Sequence, residues 1–184
     1  ECFDEAMLDG LDERIAALDP QRTRRGVVLV MHQMGSHGPA YHLRSPADRK
    51  RFLPECQSPA LQDCSRQSVV NAYDNSIAYT DHFLAQAIGW LKRHEASADT
   101  ALLYVSDHGE SLGENNLYLH GMPYPMAPDD QKRVPWLSWA SAGFQRSTGL
   151  SMNCLRDHRD VALSHDNYFH AVLGLAEVTT AAYQ

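Results

Sequence analysis

The chain has 184 residues, a length typical of one domain or most of one. Its 43% apolar and 21% charged residues are ordinary for a globular protein and exclude intrinsic disorder. Sixteen basic and 23 acidic residues give a net charge of −7, which argues against a nucleic-acid partner. The longest apolar runs have five residues, whereas a membrane span needs about 20. Glu1 opens into a mixed charged segment, which is not the pattern of a signal peptide.

The first half of the chain predicts two helices and a strand. Apolar residues at helical spacing favour a helix over 8–18, which Asp19 and Pro20 end. The valine-rich run 27–31 is typical of a strand covered on both faces. A polar loop over about 35–64 follows. The apolar stripe over 69–91 then predicts a long helix, with basic residues at its C-terminus.

The second half predicts two more strands and a last helix. The strands cover 101–106 and 134–140, and Ser164 stands at the N-cap position of the helix. Strands that alternate with helices predict an α/β fold with a mostly parallel sheet flanked by helices. Ligands of such sheets bind beyond the carboxyl ends of the strands. A functional site is therefore expected after residue 31 and after residue 106.

Side chains that can bind a metal stand where the strand 101–106 ends. Asp107 and His108 are adjacent there, and Gly109 lets the backbone turn so that both side chains can converge. His120 lies 12 residues after His108, on what should be the same loop. A carboxylate combined with imidazoles suits zinc better than magnesium or calcium, which prefer all-oxygen sites.

The other strand end supplies two more histidines, His32 and His37. A lone loop histidine is usually a surface residue, but two clusters at expected site positions favour a divalent metal centre. Such a centre would bind or polarise an anionic ester oxygen. We expect His32 and Glu110 to support the ligands through hydrogen bonds, and Glu114 to be structural.

Four cysteines allow three pairings if all are oxidised. Cys56 and Cys64 enclose a short polar stretch, and their spacing alone favours a disulfide and two reduced thiols about equally. A disulfide would imply a compartment outside the cytoplasm. Cys2 and Cys154 have no obvious local partner.

Four motifs carry a resemblance to a known family: HQMGSHGPAY, NAYDNS, SDHGESLGEN and YLHGMPY. In this order and spacing, the sequence resembles the phosphoethanolamine–lipid A transferases. These include the mobile colistin-resistance enzymes and belong to the alkaline phosphatase and sulfatase superfamily. The resemblance implies that residues 1–184 form the C-terminal portion of a single periplasmic catalytic domain. It also implies that the N-terminal part of this domain, and a membrane domain, lie outside the chain.

The resemblance further implies a site with one or two zinc ions. Asp107 and His108 match zinc ligands, and His37 and His120 match residues that contact the transferred phosphate or a second zinc. The implied reaction moves phosphoethanolamine from phosphatidylethanolamine to a threonine and then to a lipid A phosphate. It takes place at the periplasmic face of the inner membrane of a Gram-negative bacterium and gives polymyxin resistance. Cysteines 56 and 64 match a disulfide of the family.

The chain departs from the family pattern in two residues. The family's glutamate ligand and nucleophilic threonine match no position here, so we expect weak zinc binding and no turnover from these residues alone. Two alternatives stay open. One is a hydrolase of the same superfamily, either a sulfatase or a phosphodiesterase, and the other is a zinc-binding module without catalysis.

Overall fold

The computed structural model describes residues 2–182, which form two compact units. The first unit contains the residues up to 87 together with 110–119, and the second contains 88–109 and the residues from 120 onward. The helices are α1 (Leu11–Ala16), α2 (Pro20–Thr23), α3 (Arg66–Arg93), α4 (Asp129–Lys132), α5 (Ala142–Thr148), α6 (Met152–Asp157) and α7 (His165–Leu175). The strands are β1 (Ala101–Val105), β2 (Ser111–Leu112), β3 (Tyr118–Leu119) and β4 (Trp136–Ala140). Short 3₁₀ turns lie at Asp4–Met7, Tyr41–Leu43, Ala47–Arg49, Leu61–Asp63 and Glu114–Asn116.

The core of the first unit is built on α3. The predicted apolar stripe is confirmed, because one face of α3 buries side chains from Val69 to Ala87. The same core contains Tyr41, Cys56 and Leu61 from the preceding loop. The disulfide between Cys56 and Cys64, predicted from the resemblance, is formed. It closes part of the loop that packs on α3.

A buried amide fixes the same loop to α3. The side-chain oxygen of Asn75 accepts the N–H groups of Arg51 and Phe52 at 2.8 and 2.9 Å. Its NH₂ group donates to the carbonyl of Phe52 at 2.9 Å. Backbone groups of an irregular segment need such partners when they are buried. The loop is therefore ordered by side-chain hydrogen bonds rather than by a sheet.

Two predictions for the N-terminal region need correction. The strand expected at 27–31 is wrong, since no ladder forms there and Val28 and Val30 are 73% and 89% exposed. A valine-rich run shows β propensity, but a strand exists only where a neighbouring strand pairs with it, and none does so among the described residues. The helix expected over 8–18 is shorter, because Gly10 adopts a φ of 65° and α1 begins only after it.

The second unit contains the strand pair β1–β4. Both predicted strands are confirmed, and Leu103 lies opposite Ser138 in their ladder. The α/β class is confirmed, but the expected parallel pairing is not found within residues 2–182, where both strand pairs are antiparallel. Sequence patterns predict that a segment is a strand without giving the direction of its partner. The last helix, α7, begins directly after Ser164, as predicted.

None of the helices among residues 2–182 combines the length and the apolar character that crossing a bilayer requires. The longest helix, α3, has 28 residues and carries polar and charged side chains along most of its length.

Candidate metal centre

Asp107 and His108 lie directly beyond the carboxyl end of β1. The backbone there is fixed by the Ser106 hydroxyl, which donates to the carbonyl of His108 at 2.8 Å. Nδ1 of His108 lies 3.0 Å from the carbonyl oxygen of Gly109. Because a carbonyl can only accept, Nδ1 carries the hydrogen, and the ring lone pair is on Nε2. Nε2 lies 3.8 Å from Oδ2 of Asp107, whose side chain is 79% exposed.

His120 packs against His108 within the second unit. Their rings stack with centroids 3.7 Å apart and planes inclined by 30°. A ring nitrogen of each lies within 4.8 Å of one of the other. The residues on either side of His120 have positive φ angles, 64° at Leu119 and 105° at Gly121. For leucine this conformation is costly, and such strain is concentrated at functional sites.

His37 occupies a tight turn of the first unit. Its N–H donates to the carbonyl of Met34 at 3.2 Å, and Nε of Arg44 donates to its carbonyl at 2.8 Å. Nδ1 of His37 lies 2.7 Å from the carbonyl oxygen of Gly38. Since this carbonyl can only accept, Nδ1 of His37 carries the hydrogen, and its ring lone pair is also on Nε2. A backbone carbonyl on the second ring nitrogen is a common arrangement for metal-binding histidines.

Glu110 is buried and lies close to the residues that follow His37. Its two carboxylate oxygens accept the N–H of Gly38 at 3.3 Å and the hydroxyl of Tyr41 at 3.2 Å. Burial, with the charge of Glu110 as the next cause, raises the pKa of Tyr41 far above its usual value. Tyr41 therefore remains a hydrogen donor over the whole physiological pH range.

Glu114 and His32 have different environments from Glu110. Glu114 forms an ion pair with Arg66 at 2.8 Å and accepts the N–H of Leu112 at 2.6 Å. Burial raises the pKa of Glu114, but the hydrogen bond from Arg66 and the backbone N–H groups outweigh it, and the pKa is lowered. His32 is exposed, in a segment without regular structure. Its support of the ligands stays a prediction.

Sequence reasoning missed two residues that contact the site segments. Asp4 accepts the N–H groups of Met34 and Gly35, in the turn of His37. Nε2 of His165, at the start of α7, lies 2.8 Å from the carbonyl of Ser106. Both partners are distant in sequence, so no local motif could have indicated them.

The donor atoms fit a divalent metal ion. The Nε2 atom of His108 and the Oδ2 atom of Asp107 lie 3.8 Å apart, close enough to bind one ion, and a ring nitrogen of His120 lies within 4.8 Å of one of His108. Imidazole nitrogens of this kind are ligands of divalent transition-metal ions. Fold and donor set thus define an α/β protein with a candidate metal centre.

The profile of the sulfatase family matches residues 1–178, and the chain belongs to this family. Among curated relatives, it is 44% identical over 185 residues to phosphoethanolamine transferase EptA of Escherichia coli K12, covering 100% of this chain and 33% of that protein. It is 43% identical over 179 residues to phosphatidylethanolamine transferase Mcr-1 of Escherichia coli, covering 97% of this chain and 31% of the relative. The chain thus spans about one third of the length of these relatives. The predicted resemblance to phosphoethanolamine transferases is confirmed.

Two solved structures share the fold. One is the soluble domain of lipooligosaccharide phosphoethanolamine transferase A from Neisseria meningitidis, with a TM-score of 0.91, 37% identity and coverage of 100% of this chain and 54% of that one. The other is the C-terminal periplasmic domain of phosphoethanolamine transferase EptC from Campylobacter jejuni, with a TM-score of 0.87, 38% identity and coverage of 99% and 55%. The predicted alkaline phosphatase and sulfatase-like fold is confirmed.

Proposed function

We propose that this chain is the C-terminal part of the catalytic domain of a zinc-dependent phosphoethanolamine transferase. The proposed donor is phosphatidylethanolamine, and the proposed acceptor is a phosphate of lipid A. The observation that carries this proposal is the likeness over the whole chain to proteins named for phosphoethanolamine transfer. Asp107 and His108 would hold the zinc ion, since their donor atoms lie 3.8 Å apart at the end of β1.

His37 is proposed to take part in the same reaction, because the resemblance to the family matches it with a residue that contacts the transferred phosphate. The residue that follows it is held within the first unit, since Gly38 donates its N–H to Glu110 at 3.3 Å.

The zinc ion, when bound, would lower the pKa of an oxygen nucleophile and stabilise the charge that develops on the phosphoryl group. The role proposed for His37 and His120 is to bind the oxygens of the transferred phosphate. In His37 the hydrogen on Nδ1 already points to the carbonyl of Gly38, so Nε2 would donate to a phosphate oxygen only from the protonated ring. Charge-assisted bonds of this kind are roughly twice as strong as neutral ones.

The proposed location is the periplasmic face of the inner membrane of a Gram-negative bacterium. The Campylobacter jejuni neighbour is named as a periplasmic domain, and the Cys56–Cys64 disulfide is compatible with an oxidising compartment. Transfer of phosphoethanolamine adds an ammonium group to an anionic lipid A phosphate. This weakens the attraction of the lipid for cationic polymyxins such as colistin, so resistance is the proposed cellular effect.

Product analysis of the full-length protein that carries this chain tests the proposal. Polymyxin-sensitive cells expressing it should contain lipid A with added phosphoethanolamine and should tolerate more polymyxin. Cells expressing the His108→Ala variant at the same level should show neither effect. Release of free phosphoethanolamine with unmodified lipid A would indicate the hydrolase instead. Zinc binding without either product would indicate the module without catalysis.

A further inference from the structure

The turn that carries His37 is closed by a carboxylate 30 residues earlier in the chain. Oδ1 of Asp4 accepts the N–H of Met34, and Oδ2 accepts the N–H of Gly35, both at 2.9 Å. Gly35 has a positive φ of 54°, which turns the backbone so that the two N–H groups point to the same side. Successive N–H groups in this arrangement form a concave anion site. In this protein the anion is the side chain of Asp4.

The segment that bears Asp4 is itself attached to α3. The hydroxyl of Tyr79 donates to Oε2 of Glu5 at 2.6 Å, and Nε2 of His82 lies 2.9 Å from Oε1. The ring of Phe3 packs edge-on against Tyr79, with centroids 5.7 Å apart. Asp4 is therefore not a mobile side chain at the surface, because both of its neighbours are held by the long helix.

We propose that Asp4 is a positioning residue for His37. The inference rests on the proposed function, in which His37 binds the transferred phosphate. In the part of the chain that the structure describes, no strand pairs with the Met34–His37 turn, and the bonds to Asp4 hold its first two N–H groups in place. Misplacement of a reacting or binding group by about 1 Å can cost about 100-fold in rate. Loss of the Asp4 carboxylate should therefore lower turnover through the placement of the imidazole.

Substitution of Asp4 in the full-length protein tests the role in turnover. We expect Asp4→Ala to lower kcat roughly tenfold, the size expected for a lost hydrogen bond to a charged group, with an unchanged KM for the donor lipid. Asp4→Asn should give a smaller decrease, since its amide oxygen can still accept one of the two N–H groups. Asp9→Asn is the matched control, because Asp9 is exposed in the same segment, and it should leave kcat unchanged.

The NMR signals of the His37 ring in the 184-residue chain provide a second readout that needs neither metal nor activity. Asp4→Asn should shift these signals and accelerate exchange of the Met34 and Gly35 amide hydrogens, whereas Asp9→Asn should change neither. A thermal unfolding midpoint close to that of the wild type would separate positioning from general destabilisation. The inference is overturned if the His37 signals and kcat of Asp4→Asn are those of the wild type. If the wild-type protein transfers no phosphoethanolamine, the proposed function fails, and the His37 signals alone decide the inference.

Discussion

The rings of His37 and His108 are oriented by the same local contact, although the backbone around each residue is held in place differently. Each ring places its Nδ1 against the carbonyl oxygen of the glycine that follows, at 2.7 Å for His37 and 3.0 Å for His108. The turn of His37 pairs with no strand among residues 2–182, and the N–H groups of Met34, Gly35 and Gly38 donate to side-chain carboxylates. His108 instead follows β1, which pairs with β4 over five residues.

This difference means that the orientation of the two rings should differ in its sensitivity to side-chain substitutions. A backbone ladder is formed by every residue of the strand, so a single side-chain substitution leaves it in place. Bonds between a carboxylate and a backbone N–H depend on one side chain and disappear with it. The environment of His37 should therefore respond to distant substitutions that leave the environment of His108 unchanged.

The largest expected difference between the two regions concerns metal content. His108→Ala in the full-length protein should remove bound zinc and activity together, because it removes a proposed ligand. His37→Ala should lower activity strongly while most of the zinc remains. Elemental analysis of the purified variants, together with lipid A product analysis, measures both effects.

His158→Ala is a suitable control for this experiment, since His158 is an exposed histidine that follows α6. It should retain both zinc and activity. Full zinc content in His108→Ala would contradict the proposed ligand role, and equal zinc loss in both variants would contradict the distinction between the two histidines.

The glycines that follow the two histidines should differ in their tolerance to alanine. A Cβ at Gly109 would overlap the backbone oxygen of Asp130, which cannot move aside. A Cβ at Gly38 would overlap a methyl group of Leu119, which can rotate, and would also lie too close to the hydroxyl of the buried Tyr41, whereas no backbone atom is in its way. We expect Gly38→Ala to lower the free energy of unfolding by about 1–3 kcal/mol, and Gly109→Ala to lower it by more.

Denaturant unfolding of the two variants measures this difference. Gly89→Ala is the matched control, because Gly89 lies on α3 with only the end of the Arg93 side chain near its added methyl group. It should raise the free energy of unfolding by up to about 1 kcal/mol, the difference in helix propensity. A larger loss for Gly38→Ala than for Gly109→Ala would contradict the comparison.

The smallest expected effect is a pH dependence in the first unit. The pKa of Glu5 is lowered below its ordinary value of 4.5, chiefly by the hydrogen bond from Tyr79. The hydrogen bond and the charge of His82 lower it further, whereas burial opposes the shift. A lowered carboxyl pKa contributes stability above that ordinary value, and this contribution is lost as the pH falls through the folded pKa. Tyr79→Phe should therefore destabilise the protein by about 1 kcal/mol at pH 7, since Glu5 is partly exposed, and by less at acidic pH.

Unfolding measured at neutral pH and at a series of acidic pH values tests this prediction, because Glu5 becomes protonated as the pH falls through its lowered pKa. Tyr124→Phe is the control, since the side chain of Tyr124 is exposed. An equal loss for Tyr79→Phe at all of these pH values would show that packing, and not the bond to Glu5, stabilises this contact.

Local sequence patterns were sufficient to predict the helices and strands that depend on side chains close together in the sequence. The apolar stripe of α3 and the short apolar runs of β1 and β4 follow from side-chain periodicity and burial, so the sequence alone predicted them. The four motifs likewise identified the family and the candidate residues at the end of β1, because each motif lies in one continuous segment.

Tertiary structure alone decided which segments pair and which distant side chains hold the site. The run 27–31 has the composition of a strand but no partner among the described residues, and the partner of β1 runs antiparallel to it. The contacts of Asp4 with the His37 turn, and of Glu110 with Gly38, span 30 and 72 residues of sequence. Such contacts form because the folding of the chain brings distant polar groups together, and no local periodicity of the sequence indicates which groups will meet.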